Sequence, residues 1–337
     1  MRAAVVRKYG PPGNFEVREW PDPAVKAGEC LVRVRAVGIN FADLMQRMGV
    51  YPGTPKAPFI PGFEVAGTIE RPPAGGDLKA GDRVVAMTRF NAYAELVACA
   101  PESVFAIPDS LGFEEAAAVP VNYLTAYHSM FEMGNLREGD RVLIHGAAGG
   151  VGVAAVQLAR AKKLITFGTA GAAKQDFLRK IGVDHPIDYT RESCVDAVRR
   201  VAPDGIEMVL DPIGGKSFAQ SLRCLGTMGR LVVFGFSAAA GPSGKRSLPR
   251  AIKALAQTPR ISPLKLMERN QAVIGVHLGR MAGREGVLRR QMIELLRLYA
   301  EGAIQPFVGK TFPLEKAAEA HRYIHDRKNV GKVVLTV

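Results

Sequence analysis

The sequence predicts an α/β protein in which a compact β-rich domain is joined to a doubly wound parallel sheet. Three observations predict it. From Met1 to about Pro120, short β-branched runs are punctuated by Gly and Pro. After Pro120 apolar strands alternate with helical stretches, the βαβ rhythm of a parallel sheet. A glycine-rich turn, Gly146-Ala147-Ala148-Gly149-Gly150-Val151-Gly152, follows a buried-type strand and opens an apolar helix.

The β-rich part is read from 30–37, 65–69, 83–86 and 92–97. The parallel strands are read from 141–144, 164–167, 208–210 and 231–234, with helical stretches between them such as Lys174 to Ile181. A further strand over Asn270 to Leu278 precedes a helix over Glu285 to Glu301, whose apolar period runs through Val287, Leu288, Met292, Leu295, Leu296 and Leu298. A helix over Glu315 to Asp326 and a terminal strand at Val333-Val334-Leu335 complete the chain, a tail suited to packing back on the first part. The expected division is 1–122 with 282–337 as one domain and 123–281 as the other. A length of 337 residues agrees with two domains at about 150 residues each.

Composition is that of a folded globular chain, 47% hydrophobic and 23% charged. The formal charge of +13 favours anionic ligands without naming one. Cys30, Cys99, Cys194 and Cys224 form no CxxC pair, which argues against a disulfide framework and fits a reducing, cytoplasmic setting. The N-terminus carries charge again at Arg7-Lys8, so no signal peptide is expected, and the uncharged run from Val142 to Ala159 reads as strand, turn and helix because of its glycines.

Within the turn, the small residues at 147, 149 and 152 fit the dinucleotide spacing. The first permits the tight turn, the second lets a pyrophosphate reach the backbone, and the third lets helix and strand pack closely. Gly150 and Val151 begin the helix, whose free N–H groups would face the phosphates. The next strand ends at Phe167-Gly168-Thr169-Ala170-Gly171, where an NAD site would place an acid for the ribose 2′-hydroxyl, and no acid stands there. Thr169 at this strand end is expected to face the cofactor, Lys174 lies five residues beyond it, placed to pair with a 2′-phosphate, and Tyr189 is placed to flank the adenine ribose, so NADP(H) is the expected cofactor.

Six histidines, at 128, 145, 185, 277, 321 and 325, give one pair at ligand spacing, His321 and His325, expected as an exposed pair on the terminal helix rather than a metal clasp. No metal is expected, and the chemistry falls to the cofactor and to hydrogen bonding.

The chain resembles the medium-chain dehydrogenase/reductases, in their zinc-free quinone oxidoreductase (zeta-crystallin-like) branch, closest to the vesicle-amine-transport type. Carrying the resemblance are Gly38-Ile39-Asn40-Phe41-Ala42-Asp43, Gly49-Val50-Tyr51-Pro52, Pro61-Gly62-Phe63-Glu64-Val65-Ala66-Gly67, Lys79-Ala80-Gly81-Asp82-Arg83-Val84, Asn122-Tyr123-Leu124-Thr125-Ala126-Tyr127 and the glycine-rich turn. The vesicle-type likeness rests on Phe113-Glu114-Glu115, His185-Pro186-Ile187-Asp188-Tyr189, Asp211-Pro212-Ile213-Gly214-Gly215 and Lys328-Asn329-Val330-Gly331-Lys332-Val333. Zinc alcohol dehydrogenases of this superfamily carry Cys where this chain has Asn40 and His where it has Phe63, and they insert a four-Cys lobe absent here.

The resemblance implies a GroES-like catalytic domain and a Rossmann NADP(H)-binding domain, a homodimer, and hydride transfer to a quinone or another α,β-unsaturated carbonyl, with a 2-alkenal or enoyl reductase as the alternative. It places Asn40, Tyr51 and Thr125 at the nicotinamide end, with Asn40 and Tyr51 donating to the substrate carbonyl and Thr125 bonding the carboxamide or capping the start of its helix. Phe41, Phe236, Ser237, His277 and Leu278 complete that pocket. Phe234 and Asn329 are implied near the cofactor. The edge around Val273-Ile274-Gly275-Val276 suits pairing with a second copy.

From Pro212 to Met267 there are nine Lys or Arg and no Asp or Glu. The centre, 238–265, reads as a loop-and-helix flap over the cofactor, or as a basic amphipathic contact with an anionic membrane through Leu248, Ile252 and Leu255. Few aromatic residues stand in it, which argues against nucleic acid.

Overall fold

The computed structural model describes residues 1–73, 75–240, 247–281 and 283–337. The chain opens with a hairpin, β1 (Arg2–Val6) against β2 (Phe15–Glu19). β3 (Cys30–Ile39) then leads into α1 (Phe41–Met48), and β4 (Glu64–Arg71), β5 (Arg83–Met87), β6 (Leu96–Cys99) and β7 (Val104–Ala106) follow. α2 (Phe113–Ala116) and α3 (Pro120–Tyr127) carry the chain out of this sheet.

The second part alternates as its sequence predicts: β8 (Arg141–His145), α4 (Gly150–Ala161), β9 (Ile165–Ala170), α5 (Gln175–Lys180), β10 (His185–Asp188), α6 (Cys194–Val201), β11 (Ile206–Asp211), α7 (Lys216–Cys224) and β12 (Leu225–Val233). The basic insert contributes α8 (Leu248–Ala256) and α9 (Pro263–Arg269). Gly241, Pro242, Gly244, Lys245 and Arg246 of that insert lie outside the described residues, as does the Leu248 side chain. β13 (Ala272–Gly275), α10 (Glu285–Ala300), β14 (Val308–Pro313), α11 (Ala317–His325) and β15 (Lys332–Thr336) end the chain.

Two large sheets result. The parallel one has the order β10-β9-β8-β11-β12-β13, the doubly wound arrangement expected of a Rossmann-type sheet. The other has the order β14-β15-β3-β4-β5-β7 with β6 on β3, so the C-terminal strand β15 returns to pair antiparallel with β3. This return brings Lys332 and Gly331, far downstream of the phosphate turn in sequence, into contact with residues of both parts.

The cores explain the arrangement. Val5, Val32, Val65, Val84 and Leu335 fill the β-rich interior, while Leu143, Phe167, Val209 and Leu231 fill one face of the parallel sheet. A third cluster is continuous from Ala36, Ala66 and Val85 through Tyr123 and Leu124 of α3 to Val142, Ile144 and Val156. α3 therefore buries surface against both sheets, and burial of a large apolar side chain stabilises by about 1.5–3 kcal/mol. The four cysteines are buried free thiols.

Two expectations are corrected. The strand read over Asn270 to Leu278 ends at Gly275: Val276 N–H still donates to Val233 O at 2.9 Å, and the chain then tightens into a 3₁₀ turn at Leu278–Arg280. His321 is fully buried rather than exposed, because α11 turns that face onto Arg47 and Tyr93.

Candidate active site

The glycine-rich turn is shaped for close approach of a ligand backbone. Gly146 adopts φ +67°, and Gly149 N–H closes the turn onto Gly146 O at 2.9 Å. A Cβ at Gly152 would lie 2.4 Å from Gly146 O and 2.6 Å from the Ala147 Cα, so only glycine lets α4 pack this tightly on the turn. Gly149 caps α4 with no side chain, which leaves the first N–H groups, those of Gly150, Val151 and Gly152, directed out of the helix. Ala147 is fully buried beneath the turn. The cradle fits a pyrophosphate, since bare N–H donors and the positive helix end converge there.

Beside the turn, Lys174 Nζ donates to Asn329 O at 2.6 Å, so the two residues read separately in the sequence meet here. Burial, and then the Arg327 charge, lower the Lys174 pKa. The 329–331 segment runs along the turn, with Gly331 N–H bonded to Ala148 O at 2.8 Å. Tyr189 is half-exposed at the end of β10, its hydroxyl near Gly171. Thr169 is placed differently from the expectation: its hydroxyl faces inward, accepting from Gly146 N–H at 3.2 Å and meeting His145 Nδ1 at 3.1 Å.

At the opposite end, the loop after β11 supports the strand end of β12. Phe234 N–H bonds Asp211 O at 3.3 Å, Ser237 N–H bonds Pro212 O at 3.0 Å, and the Phe236 ring lies against Gly214 and Phe218. His277 and Leu278 follow β13 on the same edge. Across the cleft, Tyr51 stacks edge-on to Phe63 at 5.2 Å and tilts against His277 at 5.6 Å, so one ring touches both parts of the molecule. Burial chiefly, then the Asp43 charge, raises the Tyr51 pKa against the opposing influence of Arg280 and Arg89. The phenol is therefore a donor at neutral pH, and among the described residues its hydroxyl has no hydrogen-bond partner.

Asn40 departs from the role expected of it. Its amide donates to Glu64 Oε1 at 2.7 Å and to Gly38 O at 3.3 Å, and its carbonyl accepts from Lys332 Nζ at 2.7 Å. Both amide protons are engaged inside the protein, which leaves none for a substrate. Phe41 packs on the β-rich core. Thr125 is the sixth residue of α3 rather than its start, so it does not cap that helix; Glu64 Oε2 does, accepting from Val121 N–H at 2.7 Å.

Glu64 and Lys332 were not among the residues singled out in the sequence, although a lysine heading the apolar run 332–335 is a signal of a buried charge seeking a partner. Asn122 was missed also: a Cβ at Gly150 would fall 2.3 Å from its Nδ2, so it packs directly on the helix start. The histidine pair joins a separate cluster in which Arg47 donates to His321 Nδ1 at 3.2 Å and Tyr93 bridges His321 Nε2 and Asp43 Oδ2, each at 2.9 Å.

Comparison with known proteins bears on the family and the fold. The family model described as alcohol dehydrogenase GroES-like domain matches residues 26–130, and that described as zinc-binding dehydrogenase matches residues 181–335. The chain is 41% identical over 340 residues to the synaptic vesicle membrane protein VAT-1 homolog of Rattus norvegicus, covering 99% of this chain and 84% of that one. It is 30% identical over 342 residues to the quinone oxidoreductase of Rattus norvegicus, covering 99% and 97%. The crystal structure of Escherichia coli quinone oxidoreductase complexed with NADPH superposes with a TM-score of 0.87 at 29% identity, over the whole of both chains.

Proposed function

Since the chain belongs to the medium-chain dehydrogenase/reductase family, among the VAT-1 homologues and quinone oxidoreductases, we propose that it is a zinc-independent, NADPH-dependent reductase of quinones or other α,β-unsaturated carbonyls. The observation that carries this reading is Tyr51, a protonated phenol whose hydroxyl has no hydrogen-bond partner among the described residues, where the β-rich part meets His277 after the strand ends of the parallel sheet.

Bound NADPH would supply the hydride. The N–H groups of Gly150, Val151 and Gly152 would hold its pyrophosphate, and Lys174 would pair with the 2′-phosphate, where an acid would repel it. Phe234, Phe236, Ser237 and the 276–278 segment would flank the nicotinamide. Tyr51 donates a hydrogen bond to the acceptor oxygen as negative charge gathers on it, a contribution of roughly 10²–10⁴ in rate for such positioned acids. Zinc independence is supported by Phe63, which has no lone pair to offer, and by the committed amide of Asn40. An enal or enoyl thioester would use the same hydroxyl, so pocket shape decides between these acceptors.

Oxidation of NADPH and NADH by the purified protein, with and without chelator, against quinones, enals and a primary alcohol tests the proposal. Chelator-resistant, NADPH-selective turnover of quinones supports it; turnover of enals alone moves the reading to alkene reduction; turnover of the alcohol alone, lost with chelator, overturns it. β13 is one of the two edge strands of the parallel sheet among the described residues and is the proposed seam of a homodimer.

A second reading has its own observation. α8 and α9 expose Ile252, Leu255, Leu264 and Met267, each at 58–69%, beside Arg250, Lys253 and Lys265. This is the amphipathic, cationic face of a contact with an anionic membrane, and no described helix is long and apolar enough to cross one. Co-sedimentation with anionic vesicles at low salt, lost at high salt, supports it; no binding at low salt removes it.

A further inference from the structure

We propose that Thr169, His145, Ser221 and Asp211 form one positioning relay that ties the phosphate turn to the nicotinamide-side loop, with His145 held as the Nε2-protonated tautomer. The proposal rests on the reading of the 146–152 turn as the NADP(H) site.

The hydrogen-bond directions follow from proton counting. Asp211 Oδ1 accepts from the N–H groups of Ile213 at 2.7 Å and Gly214 at 3.3 Å, which marks this carboxylate as the acceptor end. Its Oδ2 takes the single proton of the Ser221 hydroxyl at 2.7 Å. Ser221 Oγ then has only lone pairs to offer, so His145 Nε2, 3.1 Å away, is the N–H donor. A neutral imidazole protonated at Nε2 has a bare Nδ1, and Thr169 donates to it across 3.1 Å. With its proton spent there, Thr169 Oγ1 is the acceptor for Gly146 N–H. Burial lowers the basicity of His145, in keeping with a neutral ring.

Each member is buried, and each end of the relay is a backbone group of the cleft. Gly146 begins the phosphate turn. The turn at 212–213 accepts Ser237 N–H and Ala238 N–H at 3.0 and 2.8 Å, and through Gly214 it seats the Phe236 ring. The relay thus crosses the ends of β9, β8 and β11, joining the two halves of a dinucleotide site without touching the ligand. A network satisfied in one direction only is sensitive to loss of any member.

Long-range ¹⁵N–¹H spectra of the wild-type chain give the first test: an Nε2-protonated His145 supports the relay, and an Nδ1-protonated ring or an imidazolium at neutral pH overturns it. The second is binding, followed by calorimetry, of NADPH and of adenosine 2′,5′-bisphosphate, which spans only the adenine half. Ser221→Ala, made at the far end, is expected to weaken the bisphosphate about three- to tenfold, as loss of one net hydrogen bond requires. Thr169→Val should do the same, and Thr169→Ser should restore wild-type affinity. Unchanged bisphosphate affinity in a folded Ser221→Ala protein overturns the coupling. Absence of any NADPH binding by the wild type would instead remove the cofactor reading, while the spectrum still decides the tautomer.

Discussion

Lys332 Nζ lies 2.7 Å from Asn40 Oδ1, and the same ammonium pairs with Glu64. Lysine and glutamate side chains are 2% and 0% exposed, so this is a fully desolvated ion pair that anchors β15 to the β3–α1 junction and to β4. Through Val121 N–H, Glu64 also fixes the start of α3, the helix that packs on both sheets.

Lys332→Met should therefore be costly beyond the lost contact, since Glu64 remains buried without its cation. A loss of about 3–5 kcal/mol is expected. Urea denaturation measures it, and a loss under 1 kcal/mol would show that Glu64 is otherwise satisfied.

Tyr51→Phe keeps the ring contacts with Phe63 and His277 and removes only the hydroxyl. Turnover of the preferred acceptor should fall by roughly 10²-fold or more, with NADPH affinity unchanged. Equal losses in cofactor binding and turnover would assign Tyr51 to structure instead.

Lys174→Ala should raise the KM for NADPH by about 10- to 100-fold while leaving NADH unaffected, the range of one charge-assisted contact. The bond to Asn329 O also goes, so Asn329 loop stability is checked by the NADH control.

The Arg47 cluster makes a pH prediction. Burial, and then the Arg47 charge, push the His325 pKa down to about 4 from 6.5. The unfolded chain binds a proton between those values that the folded chain refuses, so this residue makes stability fall as pH drops from 6.5 towards 4. Asp43, pushed up by burial to about 7, acts with the opposite sign. Comparing wild type with His325→Gln isolates the histidine: the wild type should lose more stability over that window, and parallel curves would refute the assignment.

The phosphate turn was readable because its requirements are local. Gly146 and Gly152 answer to a φ angle and a Cβ clearance set by residues within six positions of them. The alternation of strands and helices is likewise a short-range pattern. The side-chain roles were less readable. Asn40 looked free to donate until its amide protons were seen to be taken by Glu64, 24 residues away, and by Gly38, and Thr169 looked cofactor-facing until its hydroxyl was seen to face inward onto Gly146 and His145.

By itself, then, the sequence determined the two-part α/β fold, the glycine cradle and the absence of an acid after β9, all consequences of backbone sterics and periodicity. Only the tertiary structure decided which polar groups are spent and which are free. A buried donor must find an acceptor wherever the chain brings one, and β15 returning to β3 and His145 meeting both Thr169 of β9 and Ser221 of α7 are not encoded in any local spacing.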